Sequence, residues 1–293
     1  MPIQEIRENP AISLLNEMKH LLRTVFDIKP ARHGEHRIYP FQQTDTYTLE
    51  QDYVWTQIMK YPTCASLVNT DNPEVKINVG KEEFQNDYFD IELIPDAEHP
   101  LILPVPFYLK KGTVISFSNI NVTDPTDLRI AFGGYYPIKS TIHNPILFEK
   151  PGLKIAKFTG VTQSTLQAPN VISLEDWESF TITHIMAIVR KNQTGQAMNI
   201  TTSDNFNVKI EVAGRSTLWK ETHRWLVAGT GQYPYKLDPP IRDLSGTQII
   251  TQIYPPAWGD AYNRKVYIIY MGKMKYRLDY IKDRFYGTVN KPR

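Results

Sequence analysis

Two short stretches carry residues that could do chemistry. In "RHGEHR", His33 and His36 flank Glu35. Two histidines three apart on a helical turn could share a metal ion. No third ligand stands near them, and the glycine places them in a linker, so no metal site is assigned. In "KEEFQNDYFDIEL", Asp90 and Glu92 alternate with apolar residues and would share one face of a strand. Paired carboxylates at a defined separation can cleave glycosidic bonds. On a β surface they more often form the solvated face, which is the reading preferred here.

The other familiar signatures are missing. There is no nucleophile-elbow G-x-S-x-G, no phosphate-binding Walker loop, no G-x-G-x-x-G and no H-E-x-x-H. "GTGQYP" from Gly229 has glycines but neither the lysine nor the helix that a phosphate site uses. No catalytic, cofactor or metal residues are assigned. Aromatics are the remaining candidates: Tyr135 and Tyr136 in "GGYYP", and Tyr254, Trp258 and Tyr262 in "YPPAWGDAY". Such residues serve as sugar platforms, as interface anchors, or as plugs for the end of their own sandwich.

Composition narrows the classes. The chain has 293 residues, 41% hydrophobic and 22% charged, ordinary globular usage for one large or two medium domains. The formal charge of +2 gives no electrostatic reason for a nucleic-acid surface or anionic membrane. The basic end "KDRFYGTVNKPR" reads as a solvated tail. Cys64 is the single cysteine, so no intrachain disulfide framework or cysteine-based zinc site forms. "MPIQEIRENP" lacks the apolar run of a signal peptide, and "VYIIYM" is far short of a membrane span. A soluble chain made in a reducing compartment is expected, and its N-x-T tripeptides are read as chance matches.

The elements that would position any site are nearly all strands. One helix is predicted over 10–28, where Leu14, Leu15, Met18, Leu21, Leu22, Val25 and Phe26 form an apolar stripe. Asn9 is its N-cap, Pro10 its first position, and Pro30 lies past its end. Beyond residue 40 short β-branched and aromatic segments alternate with Gly, Pro, Asn and Asp. "EVKINV", "DYFDIEL", "TVISFSNI", "DLRIAFGG", "TITHIMAIV", "NVKIEV", "TQIITQIY" and "KVYIIYM" are strand candidates.

One phrase occurs twice. Pro106, Gly112, Thr113 and Ile115 recur as Pro240, Gly246, Thr247 and Ile249, at one constant spacing of 134 residues (240 − 106). Upstream, "NPEVKINV" pairs with "NFNVKIEV" one residue closer. Downstream, Gly133 aligns with Gly272 five residues further apart, with the extra length in "YPPAWGDAY". Length changes confined to loops are expected of a duplication. The fold class is therefore mainly β: two tandem duplicated, jelly-roll-like β-sandwiches preceded by an N-terminal amphipathic helix. The division is a helical arm at 1–40, a first sandwich at 41–140, a connecting segment at 141–174, and a second sandwich at 175–293. "LKIAKF" inside the connection could be a strand packed on one of them.

The two P-x5-G-T blocks, the paired "VKI" strands and the arm make the chain resemble the double jelly-roll coat proteins of icosahedral viruses, and other β-sandwich proteins of phage particles. That resemblance implies a non-enzymatic virion or capsid protein that self-assembles as trimers of pseudo-sixfold outline, with like subunits and other virion proteins as partners. It also implies assembly in the host cytoplasm. No cofactor, membrane span or specific nucleic-acid partner is expected. The alternatives are a carbohydrate-binding or adhesin-like module using Trp258 and nearby tyrosines, and a glycoside-acting enzyme using the carboxylates near Asp90.

Overall fold

The computed structural model describes residues 35–42, 46–60, 74–80, 84–120, 129–136, 149–191, 199–200, 204–216 and 221–276. The predicted helix over 10–28, His33, Cys64 and the basic tail lie outside these residues. The chain is mainly β, with four antiparallel sheets and only short 3-10 turns among the described residues.

The first eight strands are β1 (Glu35–Gln42), β2 (Thr46–Thr48), β3 (Tyr53–Lys60), β4 (Glu74–Val79), β5 (Phe89–Asp90), β6 (Leu101–Leu109), β7 (Val114–Ile120) and β8 (Arg129–Tyr136). They form one sheet in the order β1-β8-β3-β6 and a second in the order β2-β7-β4-β5. Then come β9 (Glu149–Val161), β10 (Asn170–Ser173), β11 (Glu178–Lys191), β12 (Asn199–Ile200), β13 (Asn207–Val212), β14 (Arg215–Ser216), β15 (Thr222–His223), β16 (Tyr235–Leu244), β17 (Gln248–Tyr254) and β18 (Arg264–Tyr276). The third sheet runs β12-β11-β18-β9 with β16 also on β11. The fourth runs β10-β17-β13-β14 with β15 also on β13.

Two segments expected to lie outside the sandwiches hold strands. β1 lies largely inside the segment read as arm, because its backbone pairs along its whole length with β8. The segment read as connection holds β9 and β10. "LKIAKF" is the middle of β9, which pairs with β18 from Glu149 to Val161. Apolar residues on both faces make that stretch an edge strand of the third sheet covered on both faces, rather than a link. "DYFDIEL" also differs from expectation. Only Phe89–Asp90 is strand, and Ile91–Leu93 is a 3-10 turn capped by the Asp90 carboxylate, which accepts from the Glu92 N–H at 2.9 Å.

Alternation explains the outer sheets. β13, β17 and β4 from Val75 onward bury every second residue, as expected where one face meets a core and the other water. The first core is centred on Trp55, fully buried against Phe132 (4.7 Å between ring centres), Phe84 (5.1 Å) and Phe107 (5.9 Å). β6 carries Pro104 and Pro106 and β16 carries Pro239 and Pro240. Each strand pairs on one side only, where a missing N–H is tolerated.

The pairing registers of the two halves coincide. Val79 opposite Ile115 matches Val212 opposite Ile249, and Glu74 opposite Asp90 matches Asn207 opposite His223. Trp55 opposite Phe107 matches Ile182 opposite Ile241, and Ile58 opposite Leu101 matches Ile185 opposite Tyr235. Both central pairs contain a one-residue bulge, at Thr56 and at Thr183. Each bulged threonine donates its hydroxyl to the neighbouring strand, to Gly133 O at 3.3 Å and to Met271 O at 3.1 Å. Counting through these bulges, Gly272 corresponds to Gly134 rather than to Gly133: the two stand opposite Ile182 and Trp55.

Gly112 and Gly246 both occupy left-handed backbone, at φ +85° and +57°, in the turns entering β7 and β17. A Cβ on Gly112 would meet nothing within 4 Å, so only the left-handed strain acts. Gly112→Ala is therefore expected to cost about 1 kcal/mol. A chemical denaturation midpoint that is unchanged or raised would show that the turn tolerates a side chain there.

Candidate functional site

The third sheet is buried on both faces, and that follows from its sequence. β9, β11 and β18 carry nearly unbroken apolar runs. Leu153, Ile155, Met186, Ile188, Tyr267, Ile269 and Met271 point into the first core. Ala156, Ala187, Val189, Val266, Ile268 and Tyr270 point into the second. Backbone hydrogen bonds add a seam between the halves: Leu153 N–H donates to Phe84 O at 2.8 Å, and Ile155 N–H to Asn86 Oδ1 at 2.7 Å.

The polar residues worth asking about sit on this seam. Asp90 is fully buried, and its carboxylate takes a two-pronged bond from the Arg190 guanidinium through Nε and through Nη2, the latter at 2.6 Å. Glu74, also fully buried, is held by Lys157 and by Lys265, the latter at 2.5 Å. Burial alone would raise the Glu74 carboxyl. Hydrogen bonds and charge from Lys157 and Lys265 outweigh it and hold the group below the usual carboxylate range. Each anion comes from the first pair of sheets and each cation from the third sheet.

The reading of Asp90 and Glu92 as a solvated strand face is thereby overturned. Asp90 is interior because β5 ends against the third sheet, and Glu92 sits in the 3-10 turn paired with Lys60. Each carboxylate is committed to a cation, Asp90 to the Arg190 guanidinium and Glu92 to the Lys60 ammonium. Glu35 and His36 lie in β1, opposite Tyr136 and Tyr135.

The aromatics divide. Trp258 packs on the second core, its Nε1 donating to Asn205 O at 2.8 Å and its ring lying 4.3 Å from the Arg264 guanidinium. Arg264 is itself buried and bonds Asp204 at 2.8 Å and Asp260 at 2.5 Å. Tyr136 packs edge-on against Tyr53 at 5.9 Å, and Tyr254 bonds Gln252. Tyr135 is half-buried, and burial raises its hydroxyl pKa. Tyr262 stays exposed, with the Lys191 ammonium 5.1 Å from its ring. These side chains mainly close their own ends of the sheets.

A cleft of about 280 Å³ lies where the two halves meet. Lys60, Glu92 and Asp96 line it from the first half, and Arg224, Trp225 and Gln232 from the second. Arg224 is buried, its guanidinium 4.2 Å from the Trp225 ring and 5.7 Å from that of Phe206. Burial pulls its pKa down to about 10, against the opposing charge of Asp204, so it remains a cation at neutral pH. Sequence reasoning did not single out Arg190, Lys157, Lys265, Arg224 or Trp225.

The molecule is thus a four-sheet antiparallel β protein whose halves are joined through a doubly buried sheet and interfacial ion pairs. No protein-family model matches the chain, and no curated protein matches it. In sheet architecture it resembles a chain of the atomic structure of Sulfolobus Turreted Icosahedral Virus, at 12% identity over 82% of this chain and 91% of that one, with a TM-score of 0.34. It is also similar to peptide:N-glycanase F, at 8% identity over 83% of this chain and 93% of that one, TM-score 0.28. Another structure of that enzyme, a glycosylasparaginase from Flavobacterium meningosepticum, aligns at 9% identity over 80% and 89%, TM-score 0.27. Scores this low establish no family. Among the described residues no helix is long and apolar enough to cross a membrane.

Proposed function

We propose that the chain is a non-enzymatic structural protein of a virus or phage particle, built from two duplicated jelly rolls and assembling with like subunits and other virion proteins. The observation that carries this reading is the strand order. β1-β8-β3-β6 facing β2-β7-β4-β5 is repeated as β9-β18-β11-β16 facing β10-β17-β13-β15. Paired four-stranded sheets of this order are the double-sheet jelly roll, an architecture of viral capsid and lectin domains. The coincident registers and the two threonine bulges support descent from one ancestral sandwich. On this reading the units span 35–136 and 149–276. Because one fold hosts many functions, the assignment is tested by assembly.

Purified full-length chain, followed by light scattering and negative-stain imaging, is expected to give closed rings of few subunits. A strict monomer at the highest soluble concentration would overturn the proposal. The arm is assigned to contacts between subunits. A truncation beginning at Ala31 leaves β1 whole, since β1 starts at Glu35. It is expected to give a cooperatively melting monomer. Aggregation or loss of the cooperative transition would place the arm in the first core instead.

A further inference from the structure

We propose that the cleft between the two halves binds a neutral saccharide of one or two rings, stacked on Trp225. This site does not depend on whether the chain assembles. At about 280 Å³ it lies just below the usual range of ligand pockets, about 300 to 1,000 Å³, which suits a ligand of one or two rings.

Trp225 is built as a platform. Its indole is 42% exposed, yet its Nε1 donates to Asn205 Oδ1 at 2.8 Å and the Arg224 guanidinium lies 4.2 Å from the ring. Arg224 is in turn held beside Phe206. A flat ring fixed before the ligand arrives loses little entropy on binding. Its exposure is not a packing requirement either. By register, Trp225 and Leu226 stand where Glu92 and Leu93 stand in the first half. Leu93 is 1% exposed in the first core, whereas Leu226 is 65% exposed. The second copy of this turn has therefore been released from core duty and carries an aromatic at the cleft.

The charges select a neutral ligand. Lys60 is paired with Glu92, and the Asp96 carboxylate accepts the backbone N–H groups of Glu98 and His99 at 3.1 and 3.2 Å. The two cations of the lining, Lys60 and Arg224, are balanced by the two acids, Glu92 and Asp96, so the cleft offers an incoming phosphate or carboxylate no net positive charge. A sugar hydroxyl donates one hydrogen bond and accepts others, so it can use Asp96, Gln232 and Arg224 alike. The rim is polar as well: Gln232 Nε2 lies 2.9 Å from His99 Nδ1, bridging the two halves.

Saturation-transfer NMR on the full chain tests this, using the methyl glycosides of galactose, mannose, N-acetylglucosamine and xylose, while inorganic phosphate, which has no C–H protons to observe, is followed as the anionic probe by tryptophan fluorescence. At least one glycoside is expected to receive saturation and to quench tryptophan fluorescence. Trp225→Ala is expected to raise its Kd about tenfold or more, while Trp225→Phe keeps part of the binding. Gln232→Ala, at an exposed loop position, gives a second weakened variant should Trp225→Ala fold poorly. The proposal is overturned if no glycoside binds the folded wild type. Equally, it fails if neither Trp225→Ala nor Gln232→Ala weakens binding, or if phosphate alone produces the response.

Discussion

Replacing Asp90 with alanine is expected to destabilise the protein by about 3–5 kcal/mol, the cost of removing one member of a buried, doubly bonded ion pair. The partner is Arg190, only 3% exposed, at the end of β11. Asp90→Ala also removes the cap of the turn at Ile91–Leu93. Arg190→Met should cost a similar amount, because it strands the carboxylate. The double variant should cost less than the two singles together, since it removes both charges at once. Urea denaturation of the four proteins measures the coupling. Additive effects, or singles costing under about 1 kcal/mol, would show that the fork of bonds does not hold the halves together.

The neighbouring Glu74 gives the same seam a pH dependence. Its folded pKa lies below its ordinary value of 4.5. Its stabilising contribution is therefore complete above that value and is lost as pH falls through the folded pKa. Glu74→Gln should flatten the acid limb of a stability–pH profile as the pH falls below 4.5. An unchanged profile would move the acid sensitivity to other carboxylates.

The second large effect is expected at Gly272. A Cβ there would collide with the Thr181 carbonyl and sit 2.9 Å from the Phe180 ring. A backbone carbonyl in the most heavily paired part of the third sheet cannot swing aside as a side chain can. Gly272→Ala should cost about 3 kcal/mol, the upper end of the range for overpacking. Gly134→Ala should behave alike, because its Cβ would meet the Val54 carbonyl at the corresponding bulge. Both should exceed Gly112→Ala clearly. Denaturation midpoints for the three variants decide it; a Gly272 variant no worse than the Gly112 variant would mean that the strands part easily there.

How far the residues alone reach is visible in particular strands. "NVKIEV" and "EVKINV" alternate cleanly, so their period of two names both the strand and its buried face. The repeated Gly-Thr turn was legible because a left-handed backbone position restricts the choice of residue. The class, mainly β with a repeated phrase, therefore follows from local chemistry. β9 was harder. "LKIAKF" is short, and its apolar residues fall on both faces, so periodicity does not tell a doubly buried strand from an irregular link. The same unbroken runs in "HIMAIVR" and "VYIIYM" were the available sign that this sheet is covered twice.

The seam itself was decided by tertiary structure. Asp90 and Arg190 are 100 residues apart, and Glu74 and Lys265 are 191 apart. Nothing local distinguishes such a carboxylate from a solvated one. Burial and a partner charge are properties of what packs against a strand, and Asp90 on a free β surface would carry the same neighbours in sequence. Trp225 is the converse case. Its counterpart turn in the first half is buried by the third sheet, whereas Leu226 is exposed and no described residue of the second half covers it in that way. Local sequence sets each turn's shape; only the packing of one sandwich edge on the other's sheet decides which turn becomes core and which is left facing a cleft.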